Sequence, residues 1–593
     1  MTDSARGFLG VERSLSGRRW RERAGDGRMG LALAQRMGVP EIVGRILSAR
    51  GIGEDECEKF LTPTLRDFLP DPLSFKDMGA AIARLAQAID KGETIAIFGD
   101  YDVDGATSSA LLKRFLVAAG ARVVVYIPDR QREGYGPNAP ALLKLKADGA
   151  AVAITVDCGV TAFAPLEAAA AAGLDVIVVD HHVGEPSLPR ACAIINPNRL
   201  DESARHGMLA AVGVAFVLAV GLNRALRDAG RYKDRAEPDL MALLDLVALG
   251  TICDVVPLTG INRALVAQGL KVMGRRANPG IAALADVAKV GEKLDSYHLG
   301  FLLGPRVNAG GRVGASDLGV RLLATDDPLE ARQIAAELDK LNGERRQIEA
   351  RVLAEAVAQF EASDKSAPLV FVASEGWHAG VIGIVAGRLK ERYDRPACVA
   401  AIENGIAKGS GRSVPGVALG PAVIAARQAG LLTNGGGHAM AAGFTAEASK
   451  LDALRDFLGA RVIEERGSGA AVAELGIDGM LAAGAATPDF ANIVERIGPF
   501  GSGNSEPRFA FANLRVLRAD VVGQAHVRCV FGDAAGSARL KGIAFRSVEG
   551  ALGPALLKGQ GVGFHVAGHL RADNWQGRVG VQLFIDDAAP ALG

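Results

Sequence analysis

Surplus charge, cysteine pairs and long apolar runs are all missing from this chain. Lys plus Arg number 67 and Asp plus Glu number 67. Net charge therefore gives no argument for a nucleic-acid partner, and any basic surface must be local. Six cysteines, at 57, 158, 192, 253, 398 and 529, are scattered with no C-x-x-C. That pattern argues against a zinc ribbon or a disulfide framework and fits a reducing, cytoplasmic setting. The N-terminus carries arginines but no apolar h-region, so no secretory signal is expected. The longest apolar stretch, Met208 to Leu222, is rich in Ala and Gly. It falls short of the roughly 18 residues of a spanning helix and reads as a buried one. A glycine fingerprint for a dinucleotide is also absent from the first strand-to-helix turn, which disfavours NAD.

In place of those glycines stand three aspartates, Asp100-Tyr-Asp102-Val-Asp104-Gly105, directly after the apolar run at 95–98. In an extended backbone the three carboxylates point one way and repel unless a cation lies between them. Further acidic and imidazole residues follow apolar runs: Asp157 after 152–156, Asp180-His181-His182 after 176–179, and Asp254 after 246–253. A single such Asp is usually a helix cap or turn residue, but so many after buried runs point to a metal site. Carboxylates with one or two imidazoles suit Mg²⁺ or Mn²⁺ better than zinc. The pattern fits two ions about 3.5–4 Å apart clamping a phosphoryl group, with one carboxylate shared between them. Asp157, at a central strand end, is the expected bridge.

A chain of 593 residues is too long for one core, and length suggests about three to five domains. Residues 1–75 read as a helical and irregular region. From 76 to 325, apolar runs at 95–98, 123–127, 152–156 and 176–179 alternate with helix-like stretches, then give way to helices. That alternation predicts a parallel sheet with ligands beyond the carboxyl ends of its strands. Residues 326–362, with Ile334, Leu338, Leu341, Ile348 and Val352 mostly at helical spacing, read as one long amphipathic helix, a connector between domains or, equally compatible with the pattern, a helix lying on its own domain's core. A second α/β domain is expected over 363–462. The last region, 470–593, has short alternating strands and predicts a small β-barrel.

Other constellations bear on phosphate and bases. Arg306, Asn308 and Arg312 lie in a glycine-rich stretch, and Ser410 and Arg412 sit on what reads as a glycine-flanked turn. Glycine beside arginine lets backbone amides and guanidinium approach a phosphate together. The run 435–443 is glycine-dense around His438, and Trp377-His378 could stack on or bond a nucleotide. The terminal region interleaves Arg508, Arg515, Arg518, Arg528, Arg539, Lys541, Arg546, Arg571 and Arg578 with Phe545 and Trp575. That mixture suits single-strand binding by phosphate contact and base stacking.

The acidic motifs at 100–105, Thr155-Val-Asp-Cys-Gly159 and Asp180-His-His182 resemble the DHH phosphoesterase superfamily. The run Gly435-Gly-Gly-His-Ala-Met-Ala-Ala-Gly443 resembles its DHHA1 companion domain. Glu133-Gly-Tyr-Gly136, Asp254-Val-Val-Pro257, the stretch 306–312, Trp377-His-Ala-Gly-Val-Ile-Gly383 and Gly498-Pro-Phe-Gly-Ser-Gly-Asn504 resemble the RecJ branch of bacterial single-strand-specific exonucleases. The resemblance spans nearly the whole chain, from about Trp20 to the C-terminus. It implies two α/β domains, DHH and DHHA1, joined by a long helix and enclosing a groove for one strand, plus a C-terminal OB-fold β-barrel. It implies 5′→3′ hydrolysis of single-stranded DNA to mononucleotides with Mn²⁺ or Mg²⁺, in recombination and repair. The partners implied are single-stranded DNA with a 5′ end, a single-strand-binding protein and a helicase, with no membrane. The metal ligands implied are Asp100, Asp102, Asp104, Asp157, His181 and Asp254, and the catalytic residues Asp157, Asp180 and His182. The substrate contacts expected are Arg306, Asn308, Arg312, Ser410, Arg412, His438, Trp377 and His378, with Ser410 and Arg412 resembling a 5′-phosphate pocket. Some relatives carry His where this chain has Phe98, so the first metal here is expected to rely on Asp100. Two alternatives compete. A DHH phosphodiesterase of short oligonucleotides or cyclic dinucleotides is disfavoured by length, and a catalytically silent scaffold by the intact acidic motifs.

Overall fold

The computed structural model describes residues 6–130, 132–291, 293–466, 473–533, 535–575 and 578–591. The side chains of Trp575, Arg578 and Val579, on which part of the barrel reading rested, lie outside those described. The catalytic sheet has five parallel strands in the order Arg122–Tyr126, Thr94–Gly99, Ala150–Val156, Asp175–Val179 and Ala193–Ile195. Near-continuous Val, Ile and Ala runs form it because both faces are covered. Ile95, Ile97, Val152, Ile154, Ile177 and Val179 feed one core, whereas Ala96, Phe98, Ala153, Val176 and Val178 feed the core on the opposite face. The two-residue period of the strand divides them. Asp100, Asp157 and Asp180 each follow the carboxyl end of one of these strands.

The stretch after Asp100 is not extended. Asp102 is the N-cap of helix Val103–Ala118, its carboxylate accepting from Gly105 N at 3.1 Å, and Asp104 lies in the first helical turn. The apolar stretch at 208–222 falls largely within helix Ala211–Asp228. Its glycine at 221 has a packing reason, since a Cβ there would stand 2.6 Å from Ile82 Cδ1. The segment 306–312 is likewise helical, inside Gly304–Val313. Its backbone amides are therefore taken up by the helix and do not cradle an anion. Gly311 instead admits Tyr101, whose carbonyl oxygen would be 2.8 Å from a Cβ.

Helix Pro328–Glu361 runs for 34 residues, capped by Asp327, whose carboxylate accepts from Leu329 N at 2.8 Å. At 1.5 Å per residue it is about 50 Å long. Its first half lends Ala331, Ile334 and Leu338 to the catalytic core, and its second half lends Val352, Ala356 and Phe360 to the next domain. That domain has a five-stranded mixed sheet, ordered Asn434–His438, Ala441–Glu447, Ile406–Arg412, Ala397–Glu403 and Val370–Glu375. Ser410 and Arg412 sit on a strand here, not a turn. The glycines beside them are packing sites: a Cβ on Gly409 would strike the Phe444 ring at 2.0 Å, and one on Gly411 would meet Leu419 at 2.4 Å.

Strands Phe509–Val522, His526–Gly532, Arg539–Ala544, Arg578–Pro590 and Gly563–Trp575 close into a barrel, the last pairing back onto the first. The N-terminal region is not independent of it. Strand Arg19–Glu22 pairs in parallel with Glu474–Ile477, and Leu33, Val43, Ile46 and Leu47 join the barrel core. Trp20, fully buried, donates Nε1 to Asp587 at 3.0 Å. No helix among the described residues is long and apolar enough to cross a membrane.

Arg263 fastens these parts together. Buried on helix Gly260–Met273, it donates Nε to Phe60 O at 2.8 Å and Nη2 to Gly498 O, with its guanidinium 3.8 Å from the Phe60 ring centroid. Burial lowers its pKa to about 9. Arg263→Ala would leave those carbonyls unpaired inside the protein, at a cost of about 3 kcal/mol. Urea unfolding is expected to show that loss, and an unchanged midpoint would show that the clasp is dispensable.

Candidate functional site

The strand ends, the start of helix Val103–Ala118 and the end of helix Leu244–Cys253 meet at one acidic cluster. Three overlapping groups form, with ligand atoms within 4.8 Å of one another: Asp100 with Asp102 and Asp157, Asp157 with His181 and His182, and Asp104 with His181 and Asp254. His181 Nε2 stands 3.3 Å from Asp157 Oδ1, 3.6 Å from Asp254 Oδ2 and 3.9 Å from Asp104 Oδ2. Asp100 Oδ1, Asp157 Oδ1, His181 Nε2 and Asp254 Oδ2 are buried without a hydrogen-bond partner. Orphaned polar atoms are costly, and four in one cluster fit a cation shell. The oxygen-rich donor set with imidazole matches Mg²⁺ or Mn²⁺.

Each group is held in place by local structure. Asp157 turns out of strand Ala150–Val156 with φ at +59°, while its N–H bonds Val179 O at 3.0 Å. That left-handed conformation is uncommon for any residue but glycine. Asp104 accepts from Ala211 N at 2.7 Å and Val212 N at 2.9 Å, at the start of helix Ala211–Asp228. The helix dipole favours negative charge there. Asp180 behaves differently from its neighbours. It accepts from His181 N at 2.7 Å, His182 N at 3.1 Å, His182 Nδ1 at 2.7 Å and Val160 N at 3.0 Å, which leaves it no free role as a ligand. It orients His182 instead.

Burial and mutual repulsion perturb the whole cluster. Asp100 and Asp157 are pushed well above the carboxylate range by burial and then by Asp102, while burial followed by the nearby carboxylates lifts Asp104 to about 7 and Asp254 to about 9. The two histidines are driven apart. Burial and then the charge of His182 lower His181 to about 4, leaving a neutral imidazole with a lone pair to offer. Burial opposes the charge on His182, but the Asp180 carboxylate outweighs it and raises His182 to about 9.

A cationic pocket borders this cluster, formed by Arg130, Arg312, Ser410 and Arg412. Arg412 Nη1 donates to Ser410 Oγ at 3.1 Å and Gly411 O at 2.8 Å, and Arg312 Nη1 donates to Gly380 O at 2.9 Å. Burial, then Arg130, lowers the pKa of Arg412, while burial and the charges of Arg130 and Arg345 bring Arg312 to about 10. The Arg130 guanidinium stands 4.9 Å from the Tyr101 ring centroid. Guanidiniums brought this close repel one another, and an anion between them would relieve that repulsion. Gly383 packs closely against it, since a Cβ there would lie 3.0 Å from Ser410 Oγ and 3.1 Å from Arg412 Nη2. Sequence reasoning missed Arg130 and Tyr135, which sit in a polar loop without periodicity. The signal available was their place beside or within Glu133-Gly-Tyr-Gly136.

Other expected contacts fall elsewhere. Arg306 pairs with Asp339 at 2.9 Å and bonds Leu302 O at 2.7 Å, bracing two helices. Trp377 is core, with Nε1 on Glu355 at 2.7 Å beneath the long helix. A Trp-His pair in sequence does not reveal that the indole points inward. His378 accepts from Gly380 N at 3.0 Å and so shapes the turn that holds Arg312. Asn308 is half-buried, and His438 is exposed at the end of its strand. On the barrel, Arg508, Arg518, Arg528 and Arg571 are paired with carboxylates. Arg515, Arg539, Lys541 and Arg546 have no ion pair among the described residues. Phe545, half exposed, lies 5.4 Å from Phe584 and 5.1 Å from His526 between ring centroids.

The profile of the DHH family, N-terminal domain, matches residues 94–251; the DHHA1 domain matches 366–464 and the RecJ OB domain 477–587. The single-stranded-DNA-specific exonuclease RecJ of Dickeya dadantii is 38% identical over 93% of this chain and 96% of its own length. The chain belongs to the RecJ family. The RecJ of Escherichia coli is 37% identical over the same shares of the two chains. The structure of RecJ from Thermus thermophilus in complex with Mn²⁺ superposes with a TM-score of 0.81 at 28% identity, covering 97% of this chain and 80% of that one. The Mg²⁺ complex gives 0.75. This RecJ-family chain thus combines DHH and DHHA1 α/β domains with an OB barrel, and it is a metal-dependent nuclease.

The raised carboxylates have a consequence for stability. Asp254 and His182 both hold protons in the fold up to about pH 9 that the unfolded chain has lost by about pH 7. Native protein then binds more protons than unfolded protein, so stability falls as pH rises through that window. With chelator present, the urea midpoint is expected to drop between about pH 7 and 9. Stabilisation by added Mn²⁺ should grow over the same range, because ligands must shed their protons. A flat midpoint in chelator would mean that the carboxylates are not crowded as described.

Proposed function

We propose that this protein degrades single-stranded DNA from a 5′ end, releasing mononucleotides, and acts in DNA recombination and repair. The observation that carries the reading is a carboxylate common to two donor groups beside a cationic pocket. In this reading Asp100, Asp102 and Asp157 hold one divalent cation, and Asp104, His181 and Asp254 hold the other, with Asp157 serving both. The cations, when bound, supply Lewis acidity to the phosphoryl group and to the attacking water. His182, kept cationic by Asp180, faces the charge that builds on the scissile phosphate. Arg130, Arg312, Ser410 and Arg412 hold the terminal phosphate, and the distance from this pocket to the carboxylates selects which bond is cut. Asn308 and His438, neither engaged in a side-chain hydrogen bond among the described residues, are assigned to the nucleotides that follow. The unpaired cations and Phe545 on the barrel are assigned to the strand further along, by phosphate contact and stacking. An enzyme that needs unpaired strands takes a helicase and a single-strand-binding protein as partners.

Asp157→Ala removes a charge from both donor groups and is expected to abolish release of labelled mononucleotides while the protein stays folded. A folded variant with normal turnover would remove Asp157 from the centre. The pocket has its own test. A charged hydrogen bond is worth about 1.5–3 kcal/mol, or roughly tenfold or more in affinity. Arg412→Ala is therefore expected to slow cleavage of 5′-phosphorylated strands at least about tenfold relative to 5′-hydroxyl strands. If that ratio stays at the wild-type value, the pocket does not read the 5′ end.

A further inference from the structure

One residue beside the centre is used by no step above. Tyr135 sits in the loop between strand Arg122–Tyr126 and helix Ala139–Ala147, flanked by Gly134 at φ +85° and Gly136 at φ +79°. These left-handed glycines let the loop turn sharply on either side of Tyr135. Tyr135 as a whole residue is 54% exposed, yet its hydroxyl reaches inward to 3.0 Å from the main-chain oxygen of Asp157. The same hydroxyl is 3.4 Å from His182 Nδ1, and the two rings meet edge to face at 6.0 Å. His182 Nδ1 lies 2.7 Å from Asp180 Oδ1, so that nitrogen carries a hydrogen and donates it to the carboxylate. The Tyr135 hydroxyl is therefore free to donate to Asp157. Asp157 itself holds a left-handed conformation that L-residues adopt at a cost. Its N–H is secured by Val179 O, and Tyr135 secures its carbonyl.

We propose that Tyr135 is a positioning residue: its hydroxyl pins the Asp157 peptide in the left-handed conformation that aims the shared carboxylate oxygen at His181. The proposal rests on the reading of Asp157 as a ligand common to both cations. The same loop carries Arg130, so the segment that touches the anion pocket also holds the carboxylate of the metal centre.

The test is Tyr135→Phe in the full chain, which keeps the ring and removes one oxygen. Mn²⁺ affinity without DNA would be read by electron paramagnetic resonance, with kcat and KM on a 5′-phosphorylated oligonucleotide measured alongside. Loss of one neutral hydrogen bond should weaken Mn²⁺ binding about five- to tenfold. A similar fall in kcat is expected, with KM for DNA unchanged and the chelated protein melting at the wild-type temperature. Unchanged Mn²⁺ affinity in the folded variant overturns the proposal. So does a rise confined to KM, which would make Tyr135 a DNA contact. Tyr135→Leu separates ring from hydroxyl: if only Leu weakens Mn²⁺ binding, packing alone is at work and the proposal fails. Asp157→Ala run in parallel distinguishes the two levels. Normal Mn²⁺ binding there would sink the shared-ligand reading itself, whatever Tyr135→Phe does.

Discussion

Everything at the centre of this molecule follows from carboxylates buried together with too few hydrogen bonds to satisfy them. Asp100, Asp157 and Asp254 each keep an unbonded oxygen out of water, and His181 keeps an unbonded nitrogen among them. No arrangement of neutral partners would make that burial tolerable, because the charges also repel. A parallel sheet delivers such groups to one edge, since its strands all end on the same side. The helix start at Ala211 then holds Asp104 in place with two amides. The fold thus creates an electrostatic imbalance that bound protons relieve at low pH and bound cations relieve at high pH, and metal binding becomes part of the stability of the domain.

The second domain contributes the opposite charge. Arg412 from its sheet, Arg312 from helix Gly304–Val313 and Arg130 from the catalytic loop crowd one another just where the acidic groups end. The contact between domains is made at the same place, because Arg312 donates to Gly380 O. Relative movement of the two domains would shift the anion pocket against the carboxylates. The 34-residue helix, packed into both cores, resists that movement.

Much of this was legible in the sequence, for definite reasons. Strands buried on both faces read as continuous apolar runs, so the sheet was visible, apart from the three-residue strand Ala193–Ile195, which is too short to show a period. The ligand candidates were visible because acids after buried runs are rare without cause. What failed was local geometry. Glycine next to arginine suggested phosphate loops, yet Gly311, Gly409 and Gly411 serve close packing within a helix and a strand. Asp180 looked like its acidic neighbours, and only its four hydrogen bonds reveal that it orients an imidazole. Arg130 and Tyr135 gave no periodic signal because a loop has no period; only the motif Glu133-Gly-Tyr-Gly136 marked the segment, and their importance lies in what the tertiary fold brings near them.

The pairing of Arg19–Glu22 with Glu474–Ile477, and of Trp20 with Asp587, bears on how the molecule is made. A ribosome delivers Trp20 long before Asp587. Its indole, fully buried in the finished protein, has no partner while the catalytic and second domains are being synthesised and folding as units. The first segment of the chain therefore spends most of translation with this indole uncovered, awaiting the last strand. Assembly closes only when the strand carrying Asp587 reaches Trp20.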